Sequence, residues 1–211
     1  MEFHIVWRVV TLLVTASVTL TVYQVSKERL ATFRGPQAPK EAPAADLTNH
    51  SYLHYVLLRR EDALFMELGG EMKRAGKDGM FAAWMYNQSD LVQAAALAYA
   101  ERLASEQFLD VITKADTDLR PVLGRLYQLY AVDCIERALG WYAISDAGLP
   151  RDMAKSVPAE ARRLCHELAA EAVGLVQAFG ITDAMLSAPI ACDWISYNEY
   201  DNRGELTRDH S

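Results

Sequence analysis

Long amphipathic segments dominate the chain between residues 49 and 180. The clearest occupy residues 117–142 and 158–180, where apolar residues recur every three or four positions. That spacing is the period of an α-helix with one buried face. No segment alternates between apolar and polar residues for long enough to indicate a strand. The pattern therefore predicts an all-α bundle of about five or six helices with short connections.

The segment 117–142 is predicted to form the first of two organising helices. Residues 116–118 (Asp-Thr-Asp) precede its apolar positions, and their oxygens and negative charge favour a helix N-terminus. Pro121 is tolerable so close to that terminus, because a first-turn amide has no partner within the helix. The predicted apolar stripe contains Leu119, Leu123, Leu126, Tyr130 and Cys134.

The segment 158–180 is predicted to form the second organising helix. Pro158 is placed in its first turn, and Gly180 is expected to end it in the left-handed conformation that favours glycine. Leu168 lies at the centre of the stripe and is expected to be wholly buried against the first helix. The predicted stripe contains Ala161, Leu164, Cys165, Leu168, Ala172, Leu175, Val176 and Phe179.

Two further helices are predicted before these. The first covers about residues 49–75, with the charged residues 59–61 (Arg-Arg-Glu) facing water, and Gly76 and Gly79 follow it. The second runs through residues 91–112 and is expected to be capped by Asn87 or Ser89. Its small residues would let a neighbouring helix approach closely, and they are Ala94, Ala95 and Ala98.

Composition divides the chain into four predicted segments. They are an apolar helix over 1–33, a proline-rich linker over 34–47, the main helical bundle over 48–190 and a polar tail over 191–211. The linker holds three of the seven prolines and is expected to run extended.

An uncharged run at Val9–Val25 lies within the first segment. It is slightly short for a transmembrane helix, which needs about 20 apolar residues, and it contains several Thr and Ser residues. Two interpretations stay open: a helix packed in the bundle, which is favoured, and a membrane anchor next to Arg8.

The charge and cysteine content exclude some classes of function. A net charge of −7 and a pI near 5.2 argue against nucleic acid as the main partner, which usually needs a basic surface. Cys134, Cys165 and Cys192 lie far apart in the sequence. They fit free thiols in a reducing compartment better than a disulfide framework.

The candidate reactive residues do not form a recognisable active site. His50 and His54 share a helical face, but Ser51 stands where metalloprotease motifs have glutamate and no third ligand is near. We expect these two histidines to face solvent or to cap a helix.

A nucleophilic pair is no better supported. Cys165 and His166 are adjacent, and adjacent helical residues do not face each other. The aromatic residues are more typical of a core than of a cofactor site, and they are Tyr127, Tyr130, Trp141 and Tyr142. The residues therefore predict no catalytic group and no metal site, and they identify no cofactor-binding residue.

Two stretches carry a family resemblance. PVLGRLYQLYAVDCIE (121–136) and ARRLCHELAAEAVGLVQAFGITDAMLSAPI (161–190) resemble the C-terminal helical domain of the FAD-dependent acyl-CoA oxidases. Residues 52–75 and 82–112 are also similar to that domain, with Tyr99 where many members carry histidine. The matching positions of the first two stretches are Leu123, Leu126, Tyr127, Leu129, Tyr130, Leu175, Val176, Ala178, Phe179, Asp183, Leu186 and Ser187.

The resemblance implies a role in fatty-acid β-oxidation. In these oxidases a glutamate removes the α-proton of the acyl-CoA, hydride passes to FAD, and O₂ is reduced to hydrogen peroxide. Neither the segment with that glutamate nor the flavin-binding strands occur in this sequence, so no catalytic residue is carried over. We expect FAD to be held by domains absent from this chain, and the chain alone to be inactive.

The expected partners are the flavin domains of an acyl-CoA oxidase and a second copy in a homodimer. The expected compartment is the peroxisome in a eukaryote or the cytoplasm in a bacterium. The chain ends in Asp-His-Ser, which is not the peroxisomal Ser-Lys-Leu signal. The alternative hypothesis is a membrane-anchored helical interaction module, with residues 9–25 as its anchor.

Overall fold

A computed structural model of the protein describes residues 41–182, together with residues 185, 186 and 195. The expected apolar helix over 1–33 lies outside the described residues, as does the polar tail apart from Ile195. Among the residues that are described, no helix is long and apolar enough to cross a membrane. The Val9–Val25 run lies outside the described residues.

The described residues confirm the all-α class. A π-helix at Ala83–Asn87 precedes α2, a 3₁₀ turn at Ala169–Glu171 separates α5 from α6, and no strand occurs in the part of the chain that is described. The α-helices are α1 (His50–Ala82), α2 (Ser89–Lys114), α3 (Arg120–Arg137), α4 (Leu139–Ile144), α5 (Arg151–Leu168) and α6 (Ala172–Gln177).

The chain divides into two compact units, Met1–Ala169 and Ala170–Ser211. Helices α1 to α5 belong to the first unit and α6 belongs to the second.

Helix α1 starts and breaks where its sequence predicts. The side chain of Asn49 caps it by accepting hydrogen bonds from the amides of Ser51 (2.9 Å) and Tyr52 (3.4 Å). Gly76 has φ 66° and ψ −178°, so helical geometry stops directly after Ala75 and then resumes. That positive φ is readily adopted only by glycine.

Helices α1 and α2 form an antiparallel hairpin, as His54 pairs with Ser105 and Arg60 pairs with Glu101. Burial of Ala95 and Ala98 confirms the close-packing face predicted for α2. The predicted side-chain cap of α2 is wrong, because Gln88 is its N-cap residue and makes no side-chain cap bond. The π-helix leads the chain into α2 instead, through a bond from the Gln88 amide to the Ala83 carbonyl (2.8 Å).

Helix α3 is the central helix of the first unit and packs against α1, α2 and α5. Its predicted apolar phase is wrong, since Leu119 is 52% exposed and precedes the helix, while Leu123, Leu126 and Tyr130 are only partly buried. Because α3 is covered from three directions, one stripe does not describe its burial. The buried residues are Gly124, Tyr127, Gln128, Leu129, Ala131, Val132, Cys134 and Ile135.

Helix α5 covers α3 with a regular apolar face. It begins at Arg151 rather than at Pro158, so this proline lies inside the helix. Leu168 is fully buried, as predicted, whereas Cys165 is exposed and does not belong to the buried face. The buried positions are Ala154, Val157, Ala161, Leu164 and Leu168, at alternating spacings of three and four.

The predicted helix over 158–180 is not continuous, because α5 ends at Leu168 and the short helix α6 follows. Gly180 has φ 64°, which confirms the left-handed conformation predicted after the last helical turn. Beyond Leu168 the predicted stripe is not fully buried, because Val176 and Phe179 are exposed while Ala172 and Leu175 are only partly buried. Nothing in the Ala-Ala-Glu sequence of the 3₁₀ turn explains the break.

Candidate functional site

Two ion pairs cross the interface of α1 and α2 in the interior of the first unit. Arg60 Nη1 lies 2.6 Å from Glu101 Oε2, and Arg102 Nε lies 2.5 Å from Glu61 Oε2. Because α2 runs antiparallel to α1, the consecutive residues Arg60 and Glu61 on α1 pair with Glu101 and Arg102 on α2. All four side chains are buried, which corrects the expectation that Arg60 and Glu61 face water.

Each pair brings two opposite charges together in the interior. Burial raises the pKa of Glu101, while the guanidinium groups of Arg60 and Arg137 oppose that rise. Burial also acts to lower the pKa of Arg102, but its bonds to Glu61 and Glu106 outweigh this effect and raise it. A buried charge needs such partners, because leaving water costs each ion several kcal/mol. The pairs also fix the register of α1 against α2.

A chain of hydrogen bonds joins three helices beside the ion pairs. His54 Nδ1 on α1 lies 2.9 Å from Ser105 Oγ on α2. Ser105 Oγ lies 2.9 Å from the Tyr127 hydroxyl on α3, which donates to the carbonyl of His50 over 3.4 Å. We call these four residues together with Arg60, Glu61, Glu101 and Arg102 the polar junction.

Tyr127 is held firmly in this arrangement. Its side chain is fully buried, and burial raises the pKa of its hydroxyl to about 12. The rings of His50 and Phe108 both contact the Tyr127 ring edge-on, at centroid distances of 5.0 and 5.6 Å. A Cβ on Gly124 would lie 3.1 Å from His50 Cε1, so glycine gives His50 the space that it occupies. Tyr127 is therefore a neutral structural donor.

Two tyrosines and a thiol on α3 and α4 extend the junction. Tyr130 donates to the Glu101 carbonyl (2.9 Å), and Tyr142 reaches the Val56 carbonyl at 3.5 Å. Burial raises the pKa of Cys134 well above that of a free thiol. A thiol with so high a pKa is a poor nucleophile. Of the four aromatic residues predicted to form core, Tyr127 and Tyr142 are fully buried, whereas Tyr130 and Trp141 are only partly buried.

The predicted candidate residues have other roles than catalysis. His50 and His54 are half-buried and hydrogen-bonded, so the expectation that they face solvent or cap a helix is wrong; Asn49 is the cap. Burial lowers the pKa of both imidazoles. Cys165 and His166 are both exposed on α5. In the described part of the chain no group of three or more His, Cys, Asp and Glu residues could hold a metal ion.

Sequence reasoning missed the charged members of the junction, although a signal was present. Arg60 and Glu61 lie three and four residues after Leu57, which is buried, so they fall on the apolar side of α1. Helical position alone would have placed them inside. The partners on α2 could not be identified in this way, because pairing across 41 residues depends on tertiary structure.

A shallow groove of about 540 Å³ lies beside the start of α1 and is open to solvent. Carboxylates surround it, and its one arginine, Arg163, bonds to Glu160 (2.6 Å) and also to Glu167. Negative groups disfavour the diphosphate of a dinucleotide. The groove is lined by residues 45–48, Asp152, Met153, Ser156, Ala159, Glu160 and Arg163.

The opposite end of the α1–α2 hairpin exposes large apolar side chains. Phe81 and Tyr86 are 67% and 73% exposed, and their rings pack edge-on at 6.0 Å. Met80 and Met85 beside them are about half exposed, at 46% and 50%. We call these four residues the hairpin end. Clusters of exposed Met and aromatic residues are typical of protein interfaces.

Comparisons with known proteins agree with this architecture. An acyl-coenzyme A oxidase of Arabidopsis thaliana is 28% identical over 180 residues, a match that covers 80% of this chain and 92% of the relative. The peroxisomal acyl-coenzyme A oxidase 3 of the same organism is 28% identical over 173 residues, and the match covers 79% of this chain but only 25% of that protein.

Crystal structures of two Yarrowia lipolytica enzymes share the fold. Acyl-CoA oxidase 1 superposes with a TM-score of 0.67 at 18% identity, covering 90% of this chain and 30% of that one. Acyl-CoA oxidase 3 gives a TM-score of 0.65 at 19% identity, covering 80% of this chain and 25% of that one. This chain therefore spans about a quarter of the length of these larger proteins.

The family model described as acyl-CoA oxidase matches residues 50–193, which include every helix of the bundle described above. The expected resemblance is confirmed, and the chain belongs to the acyl-CoA oxidase family.

Proposed function

We propose that this chain serves as the C-terminal helical domain of an acyl-CoA oxidase and supports its flavin domain and its dimerisation. The observation that carries the proposal is the extent of the match, since the chain corresponds to a quarter of acyl-coenzyme A oxidase 3. The remaining three quarters would then carry the chemistry, namely FAD-dependent α,β-dehydrogenation of an acyl-CoA with reduction of O₂ to H₂O₂.

The described residues do not fit FAD by themselves. The open groove is bordered by Asp46, Asp152 and Glu160, which disfavour a diphosphate. The four charged side chains of the junction are buried, and each arginine already bonds to a glutamate, Arg60 to Glu101 and Arg102 to Glu61. FAD would therefore be bound by the flavin domains, and no reaction step is assigned to this chain.

The hairpin end supports the proposed domain contact. Phe81 and Tyr86 would lose most of their exposed surface against a second domain, and burial of apolar surface is favourable by about 25 cal/mol per Å². The partner that we assign to this surface is the catalytic region of an acyl-CoA oxidase. If the chain is of eukaryotic origin, it would act in the peroxisome. The name of the relative acyl-coenzyme A oxidase 3 describes that protein as peroxisomal.

Two measurements test this function. The purified chain should be colourless and should release no hydrogen peroxide from acyl-CoA; stoichiometric flavin absorbance or peroxide release by the chain alone would contradict the proposal. A chimera of acyl-coenzyme A oxidase 3, with its matching quarter replaced by this chain, should recover flavin binding and activity. The same oxidase without that quarter is the control, and a chimera no better than the control would also count against the proposal.

A further inference from the structure

The segment that leads into α1 is held on the bundle by a side chain of α3. Gln128 Nε2 donates to the carbonyl of Leu47 over 3.1 Å and to Glu160 Oε1 on α5 over 2.8 Å. This nitrogen carries two hydrogens, so one carboxamide connects the segment with both helices. We call residues 45–48, which directly precede the cap residue of α1, the entry strap.

The contact between the entry strap and α3 is buried. Gln128 is 6% exposed and Leu47 is 7% exposed, whereas Asp46 and Thr48 on either side of Leu47 are exposed. A buried carbonyl that loses its donor is unfavourable, so this bond matters more than a hydrogen bond on the surface. The side chain and the carbonyl of Leu47 thus attach the strap to the bundle at one residue.

The entry strap carries this attachment on to α1 through a turn. The Thr48 amide donates to Asp46 Oδ1 over 2.8 Å, and the Asn49 amide donates to the Asp46 carbonyl over 3.1 Å. Aspartate favours such turns, because its side chain can accept from a backbone amide two residues later. Asn49 then caps α1. Attachment of Leu47 therefore fixes the direction in which the chain enters this helix.

The entry strap does not pack closely along α5. The open groove of about 540 Å³ lies between them, since residues of the strap and of α5 line it together. Glu160, which accepts from Gln128, also accepts from Arg163 Nη2 over 2.6 Å. The connection of the strap with α5 therefore passes through the Gln128 carboxamide across the end of a groove.

We propose that Gln128 and Leu47 form a latch that holds the entry strap on the bundle and that opens while the helices stay packed. Opening breaks the bond to the Leu47 carbonyl, frees the strap and widens the groove. The latch thus decides whether the chain joins α1 from a fixed position. It goes beyond the proposed part in acyl-CoA oxidation and does not depend on it.

Amide hydrogen exchange of the full chain, followed by NMR over a series of low urea concentrations, tests the latch. The Asn49 amide reports on the turn of the strap. In the wild type its exchange should depend only weakly on urea, because opening of the latch exposes little surface, whereas amides in the middle of α3 should depend on it steeply. Gln128→Leu removes both donors and should accelerate exchange at Asn49 about three- to tenfold, as expected for one lost hydrogen bond.

The matched control is Gln107→Leu, the same substitution at an exposed position on α2, which should leave the Asn49 rate unchanged. An unchanged Asn49 rate in Gln128→Leu, or an equal rise in both variants, would overturn the proposal. The wild-type urea series is an independent readout if Gln128→Leu fails to fold. An Asn49 amide with the same steep urea dependence as the middle of α3 would show that the strap opens only on global unfolding, and this would equally overturn the proposal.

Discussion

The two ends of the α1–α2 hairpin bury opposite kinds of side chain. At the polar junction, α3 covers the hairpin, and four charged side chains are paired in the interior. Towards the hairpin end the two helices meet through an apolar core, and large apolar residues remain on the surface. The core residues there are Leu64, Leu68, Met72, Ala83, Ala95 and Ala98.

The difference separates two tasks within one pair of helices. Ion pairs depend on geometry, so the polar junction sets how α1, α2 and α3 are aligned. Apolar contact is non-directional, so the hairpin end can pack against another domain without a matching pattern of donors and acceptors. We infer that the polar junction specifies the fold and that the hairpin end provides the contact surface.

The largest expected effect comes from breaking an ion pair of the polar junction. Glu101→Gln removes the charge that Arg60 faces and should lower the free energy of unfolding by about 3–5 kcal/mol. Glu106→Gln is the matched control, because the Glu106 side chain is 55% exposed, and it should cost less than about 1 kcal/mol. Urea unfolding of both variants measures the difference, and similar losses would contradict the role assigned to burial.

A slightly smaller effect is expected in the apolar face of α5. Leu168→Ala should cost about 2–5 kcal/mol through lost burial and a residual cavity. Glu167→Ala, at an exposed position one residue earlier, should change stability by well under about 1 kcal/mol. If chemical denaturation gave equal losses, the helix phase assigned to α5 would be wrong.

These helices also show how far the sequence could predict the fold. The buried face predicted for α5 was largely correct around Leu168, because a helix that is covered on one side has one apolar stripe. The apolar face predicted for α3 was wrong, because three neighbouring helices cover α3. The break after Leu168 was not predicted either, since Ala-Ala-Glu contains no helix-breaking residue.

The candidate site was less predictable than the fold. The sequence correctly indicated core positions for Tyr127 and Tyr142, but not the pairing of Glu61 with Arg102. Residues 41 positions apart meet only once the hairpin has formed, so local spacing carries no information on their contact. The sequence did not predict the exposure of Phe81 either, because that exposure depends on which helices pack against the α1–α2 hairpin.

A moderate effect is expected at the start of α1, next to the polar junction. Asn49→Ala removes the cap of the Ser51 and Tyr52 amides and should cost about 1 kcal/mol. Asn49→Asp retains an acceptor at the same position and should lose much less. Thermal unfolding of the two variants checks this, and equal losses would show that capping is not what Asn49 contributes.

The hairpin end should contribute least to the stability of the chain itself. Phe81→Ser combined with Tyr86→Ser should change the free energy of unfolding by no more than about 0.5 kcal/mol per site, as for other exposed positions. Urea unfolding of the double variant measures this directly. A loss comparable to that of Leu168→Ala would mean that these residues belong to the core.

The most direct test of the contact surface is the flavin content and peroxide release of the chimera carrying the same double substitution. The unsubstituted chimera should bind FAD and oxidise acyl-CoA, whereas the double variant should lose flavin and activity although its helical bundle stays folded. Full flavin content and activity in the double variant would contradict the assignment of the hairpin end to the catalytic region.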